Sequence, residues 1–118
     1  MINGKITDTT RGIYISGPIT GVENWQENFN QAEEELLEMH GAFLVVNPVH
    51  LAEYVEKGFA LKGDVPVYAD YMRHDIKSLC DCNAICMLPN WRKSKGARLE
   101  YRIAKALDMI VLEFKQKE

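Results

Sequence analysis

The sequence predicts an α/β domain in which a parallel sheet is covered by helices on both faces, a three-layer sandwich. Three observations predict it. Four short runs are apolar almost throughout, with no polar residue at alternate positions, so both faces of each strand must be buried. Between them lie stretches whose apolar residues recur every three or four positions, so a helix follows each strand. The 118 residues suit one domain, spanning 1–118, with one hydrophobic core rather than two.

The elements follow in order. GIYIS at Gly12–Ser16 is the first strand, ended by the tight loop Gly17-Pro18. Asn24 reads as a helix N-cap, with Glu27 three residues later as in a capping box. Phe29, Ala32, Leu36 and Met39 form the buried stripe of that helix, and Gly41 is its stop. AFLVV at 42–46 is the second strand, cut off by Asn47-Pro48. The segment 49–67 reads as a short helix over 51–57 and then a flexible loop through Gly58, Gly63 and Pro66.

Tyr68–Cys80 is the next helix, its stripe set by Met72, Ile76 and Leu79. AICML at 84–88 is a strand, 96–107 a helix and 109–114 a last strand. The sheet is therefore four- to five-stranded and mainly parallel. In such sheets ligands bind beyond the C-terminal strand ends, and every candidate residue below falls there.

Composition narrows the function. A net charge of −3 argues against a general nucleic-acid binder, which carries a basic surplus. No apolar run approaches a membrane span, and residues 1–11 lack the apolar core of a secretory signal, so a cytoplasmic protein with no membrane partner is expected. Cys80, Cys82 and Cys86 read either as a metal or redox cluster or as reduced thiols. No second Cys or His pair stands at matched spacing, so neither a metal nor a cofactor is expected.

Two carboxylates break the local pattern. On the last helix Ala97, Glu100, Ile103, Ala104 and Leu107 share a face, with Arg98, Arg102 and Lys105 opposite. Glu100 thus interrupts a stripe that should meet the sheet. Such a carboxylate must be hydrogen-bonded or point into a cleft. It is either a nucleophile, favoured in its ionised form near the helix N-terminus, or a structural Glu paired with a Tyr or Arg. Asp75 borders the apolar face of the preceding helix, between Met72 and Leu79. It is either a partner acid, since two carboxylates in different surroundings divide acid and nucleophile roles, or half of a surface ion pair with Arg73 or Lys77.

The surrounding loops suggest an anion. Gly17-Pro18-Ile19-Thr20-Gly21 follows the first strand and lets backbone N–H groups approach a ligand, although it is neither a P-loop nor a dinucleotide fingerprint. PNWRKSKG at 89–96 sets Ser94 and Gly96 at a helix N-terminus among Arg92, Lys93, Lys95 and Arg98, which is either a phosphate site or a solvated basic loop. Trp91 either stacks on a base or covers the core. Tyr14 reads as core, yet its phenol needs a buried partner, and Glu100 is a natural one.

YISGPITG at 14–21, VVNP at 45–48, DIKSLCDCNA at 75–84 and SKGARLE at 94–100, followed by Ala104, together resemble the nucleoside 2-deoxyribosyltransferase superfamily. The nearest likeness is to small bacterial and phage members and to deoxynucleoside 5′-monophosphate N-glycosidases. The resemblance implies a flavodoxin-like (Rossmann-like) fold. It puts the nucleophile on Glu100, its hydrogen-bonding Tyr on Tyr14 and a helix Asp on Asp75. It implies attack on C1′, departure of the base and release of the glycosyl-enzyme by water or a second base. Asn47 of VVNP joins the implied substrate-binding residues Gly17, Pro18, Ile19, Thr20, Gly21, Trp91, Ser94, Gly96 and Arg98. It also implies a homodimer or higher oligomer, for which Trp25 and Tyr54 are the exposed candidates. Two departures stand out: Ser94 where transferases proper carry Asp, which points to a nucleotide substrate and hydrolysis, and Asn83 where relatives often carry Asp. The expectation is N-glycosidic cleavage or transfer on a nucleoside or nucleotide. The alternatives are a non-catalytic nucleotide-sensing module and cleavage of a nicotinamide dinucleotide.

Overall fold

All four apolar runs become strands in the computed structural model, which describes residues 1–115. The elements are β1 (Ile2–Asn3), β2 (Gly12–Ser16), α1 (Trp25–Leu37), β3 (Leu44–Val46), α2 (Pro48–Leu61), α3 (Tyr68–Cys80), β4 (Ala84–Met87), a short 3₁₀ turn (Trp91–Lys93), α4 (Lys95–Ala106) and β5 (Ile110–Phe114). They form one sheet in the order β1-β5-β4-β2-β3, with helices on both faces: the flavodoxin-like three-layer sandwich. β3, β2, β4 and β5 run parallel, and β1 pairs antiparallel with the outer edge of β5.

Chain direction across the sheet reverses at β2. The first crossover leads outward to β3, and the next element of the sheet, β4, lies on the other side of β2. The carboxyl ends of β2 and β4 therefore flank a crevice that no crossover covers, the topological switch point where open α/β sheets bind ligands. Ser16 and Met87, the last residues of the two strands, pair at its floor.

Alternation along the strands sorts the core into two halves. Ile13 and Ile15 of β2, with Ala84, Cys86, Leu112 and Phe114, pack against Phe29, Ala32 and Leu36 of α1. Tyr14, Ile85 and Met87 face the other way, toward Leu79 of α3 and Ala97 and Ala104 of α4.

The structure corrects several local readings. Asn24 makes no side-chain cap bond, because its backbone (φ −109°, ψ 37°) is not extended and does not aim the amide at the first turn. The helix ends at Leu37 rather than near Gly41, and Met39 reaches the core from beyond it. The expected short helix and long loop at 49–67 are instead a 14-residue helix, α2. Asn47 Oδ1 accepts from Val49 N at 3.0 Å and Pro48 holds the first position, a start strong enough to carry the helix past the exposed Gly58. β1 escaped the sequence reading because two residues carry no period. Trp25 is half-buried rather than exposed, packed edge-on against Phe29 at 5.6 Å, whereas Tyr54 is exposed as expected.

Asn83 has a structural explanation. Its Oδ1 accepts from the N–H groups of Arg11 and Gly12, and its Nδ2 donates to the Thr9 carbonyl at 2.6 Å. An Asp could accept the first two bonds but not donate the third. Among the described residues no helix is long and apolar enough to cross a membrane.

Candidate active site

A cleft of about 680 Å³ opens at the switch point. This is the size of a small-molecule site. Its walls come from the loop after β2 (Gly17, Pro18, Ile19, Thr20), the loop after β4 (Leu88 to Asn90, then Lys93 and Ser94) and four helices, α2 through Pro48 alone. α1 gives Asn28 and Gln31, α3 gives Tyr68, Met72 and Asp75, and α4 gives Gly96 and Glu100.

Glu100 lies within the fold, 5% exposed, yet lines the cleft. Tyr14 OH donates to its Oε2 at 2.6 Å and Ser16 Oγ donates to its Oε1 at 2.7 Å. Tyr14 and Ser16 are two residues apart on β2 and so project from the same face, the one α4 crosses. Burial pushes the Glu100 carboxyl above its ordinary range, and the two hydroxyl donors pull partly back. The Tyr14 phenol is held well above its usual value, by burial first and then by the Glu100 charge, so it stays a donor. The two sequence alternatives for Glu100 merge: the carboxylate is paired with a tyrosine and also open to a cavity.

Asp75 faces the same cleft, 9% exposed. Its carboxyl is raised to about 7, by burial first and by the negative charge of Glu100 second. The surface ion pair is not formed, since Arg73 bonds Asp70 at 3.0 Å. Among the described residues no cation pairs with Asp75 or Glu100. Two carboxyls with different surroundings thus share one cavity. One carries two hydroxyl donors, and the other has no hydrogen-bond partner among the described residues and holds a proton near neutrality.

A third group stands at the start of α4. Ser94 caps the helix in extended backbone, its Oγ accepting from Ala97 N at 3.2 Å, which leaves its own O–H free to donate. The first N–H groups of α4 have no acceptor within the helix, and Lys93 and Lys95 line the cleft beside them. Dipole, hydroxyl and ammonium groups together suit an anion.

The family model for the domain of unknown function DUF4406 matches residues 11–113. The chain belongs to this family. No curated protein matches it. The matched span of the DUF4406 chain holds Tyr14, Ser16, Asp75, Ser94 and Glu100, so every polar group just described lies inside it.

The cleft brings together Glu100, Tyr14, Asp75, Gly17, Pro18, Ile19, Thr20, Ser94 and Gly96. Four expected ligand residues lie elsewhere. Asn47 is buried as the α2 cap, its Nδ2 donating to Asn30 Oδ1 at 2.9 Å, so none of it reaches the cleft. Trp91 is buried against Tyr101 at 4.5 Å, with the Arg92 guanidinium also 4.5 Å from its ring; it covers the core. Arg98 donates to the Arg92 carbonyl at 2.8 Å, outside the cleft, and steadies the loop instead. Gly21 is a turn residue (φ +78°), third in the turn closed by Val22 N to Ile19 O at 3.1 Å. Gly17 does line the cleft, but its lack of a side chain has another cause: a Cβ there would meet Leu88 Cβ at 2.7 Å, where the loops after β2 and β4 touch.

Ser16, Tyr68, Asn28 and Gln31 were missed. Ser16 alone had a signal, a hydroxyl two residues after Tyr14 in an otherwise apolar strand. The Tyr68 hydroxyl comes within 3.1 Å of where a Cβ on Gly96 would stand, a proximity only the fold creates. The thiols of Cys82 and Cys86 are buried, and burial pushes them to about 11 and about 12, while Cys80 is exposed and all three are free. Among the described residues no three His, Cys, Asp or Glu side chains gather as a metal site.

Proposed function

We propose that this protein cleaves the N-glycosidic bond of a nucleoside 5′-monophosphate, with Glu100 as nucleophile and Asp75 as acid and base. The observation that carries this reading is the Glu100 carboxylate, fixed by two hydroxyl donors at the wall of a ligand-sized cleft that also holds a protonatable Asp75. The resemblance to nucleoside 2-deoxyribosyltransferases puts the same roles on the same residues.

In the first step a Glu100 oxygen attacks C1′ and forms a glycosyl ester. The C1′–N bond breaks with its electron pair on the base nitrogen, which takes the proton of Asp75. In the second step Asp75, now a carboxylate, takes a proton from water. The resulting hydroxide oxygen bonds to C1′, the ester bond breaks and Glu100 leaves as carboxylate. A raised acid near 7 beside an ionised nucleophile is the division of labour this route requires. Ser94, the α4 N-terminus, Lys93 and Lys95 would hold the 5′-phosphate, and Ser94 in place of an acidic residue favours that group by removing a repulsive charge. Water as the acceptor makes the reaction a hydrolysis; a second base in its place makes it a transfer.

Incubating the protein with a panel of deoxyribo- and ribonucleoside 5′-monophosphates, with and without an added acceptor base, and separating the bases by chromatography tests this. Base release that disappears in Glu100→Ala is expected. Tight binding of a monophosphate with no release from any member of the panel would replace catalysis by nucleotide sensing.

A further inference from the structure

We propose, resting on the catalytic reading of Glu100, that Ser16 is a positioning residue that locks the plane of the Glu100 carboxylate. Ser16 is the last residue of β2 and is 1% exposed. It does not line the cleft, whereas Tyr14 and Glu100 do. It therefore acts on a bound molecule through Glu100 and not by touching it.

The geometry explains what Ser16 adds. A glutamate carboxylate rotates broadly about its last torsion. One donor, Tyr14 on Oε2, anchors one oxygen and leaves the other free to swing. The second donor, Ser16 on Oε1 at 2.7 Å, stops that rotation. The Ser16 backbone is itself fixed: it pairs with Met87 in β4, and its carbonyl accepts from Leu88 N at 2.8 Å. Both hydroxyls thus project from one rigid strand, two residues apart. Each carboxylate oxygen has two acceptor sites, so one remains on each oxygen after these bonds, turned away from the strand. A hydroxyl donor also favours the charged form, which is the form that attacks.

The experiment follows the Glu100 carboxyl directly by carbon NMR of protein labelled at glutamate Cδ, with Glu100→Gln assigning the signal. Wild type, Ser16→Ala and Ser16→Thr are titrated, and melting temperatures check the fold. Ser16→Ala is expected to move the Glu100 titration to higher pH. It is also expected to lower kcat by about ten-fold, the loss of one charge-assisted hydrogen bond, with little change in KM for whichever monophosphate the panel identifies. Ser16→Thr, which keeps the hydroxyl, returns both toward wild type. A Glu100 titration unmoved in folded Ser16→Ala overturns the proposal. Should the alanine variant not fold, Ser16→Cys, a weaker donor of similar size, is read in the same way. The titration needs no substrate, so a protein that releases no base but titrates as expected keeps the clamp and loses the glycosidic reading.

Discussion

The two faces of the sheet are built to different standards. The core under α1 is apolar: Ile13, Ile15, Ala84, Cys86, Leu112 and Phe114 meet Phe29, Ala32 and Leu36, and among the described residues no buried carboxylate lies there. The face under α3 and α4 starts the same way, with Ile85, Met87, Leu79, Ala97 and Ala104. Near the carboxyl ends of its strands it gives way to Tyr14, Ser16, Asp75 and Glu100, all buried. One β-strand serves both faces, since β2 sends Ile13 and Ile15 one way and Tyr14 and Ser16 the other. Burying two carboxyls on one side is unfavourable, and the apolar core on the other side helps the fold tolerate it. Where local rules are broken on only one face, the break marks the site.

Substitutions can break this contrast or sharpen it. The largest effect is expected from Glu100→Gln on the polar face. Base release falls by about 10³-fold or more, while the melting temperature holds or rises, because a buried acid has been removed. Leu36→Ala on the apolar face should do the reverse. It costs about 2–5 kcal/mol in urea unfolding and leaves kcat of the remaining folded protein unchanged. Equal losses of stability from both would abolish the distinction.

Asp75 sharpens the contrast through pH. Its folded value, about 7, lies above that of a free carboxyl, so between about pH 4 and pH 7 the folded chain holds a proton that the unfolded chain has released. Stability from this group is full below that window and is lost as pH rises through about 7, by up to about 4 kcal/mol. Asp75→Asn should flatten this part of a stability–pH curve measured by denaturant unfolding. It should also remove the alkaline limb, near pH 7, of the kcat profile. The acid limb, set by Glu100, stays and lies above the ordinary carboxylate range. The smallest effect is expected at Ser94. Ser94→Ala removes the α4 cap for about 1 kcal/mol in thermal unfolding, and weakens monophosphate binding by about ten-fold in calorimetry. Nucleoside binding, without a phosphate, should be unaffected.

Much of this was legible in the sequence, for stated reasons. Continuous apolar runs fixed the four parallel strands, and the three-and-four stripe of α4 exposed Glu100 as out of place. The N-terminal edge strand and the length of α2 were not legible. β1 is too short to show a period, and the Asn47 cap was read as a ligand instead of as the start of a helix. Trp91 fell in a basic loop and Arg98 on the first turns of α4 beside it, where sequence cannot tell which side chains face the cleft. The residues missed, Tyr68, Asn28 and Gln31, lie far along the chain from Glu100 and meet it only across the cleft.

The central claim, a covalent role for Glu100, is tested most directly by intact-mass spectrometry of protein quenched during turnover of a 2′-fluoro nucleoside 5′-monophosphate, which slows release of a glycosyl ester. A mass increase equal to the sugar phosphate, localised by peptide mapping to Glu100 and absent in Glu100→Gln, is the expected result. Base release that continues in Glu100→Gln, with no adduct on the wild-type protein, would contradict it.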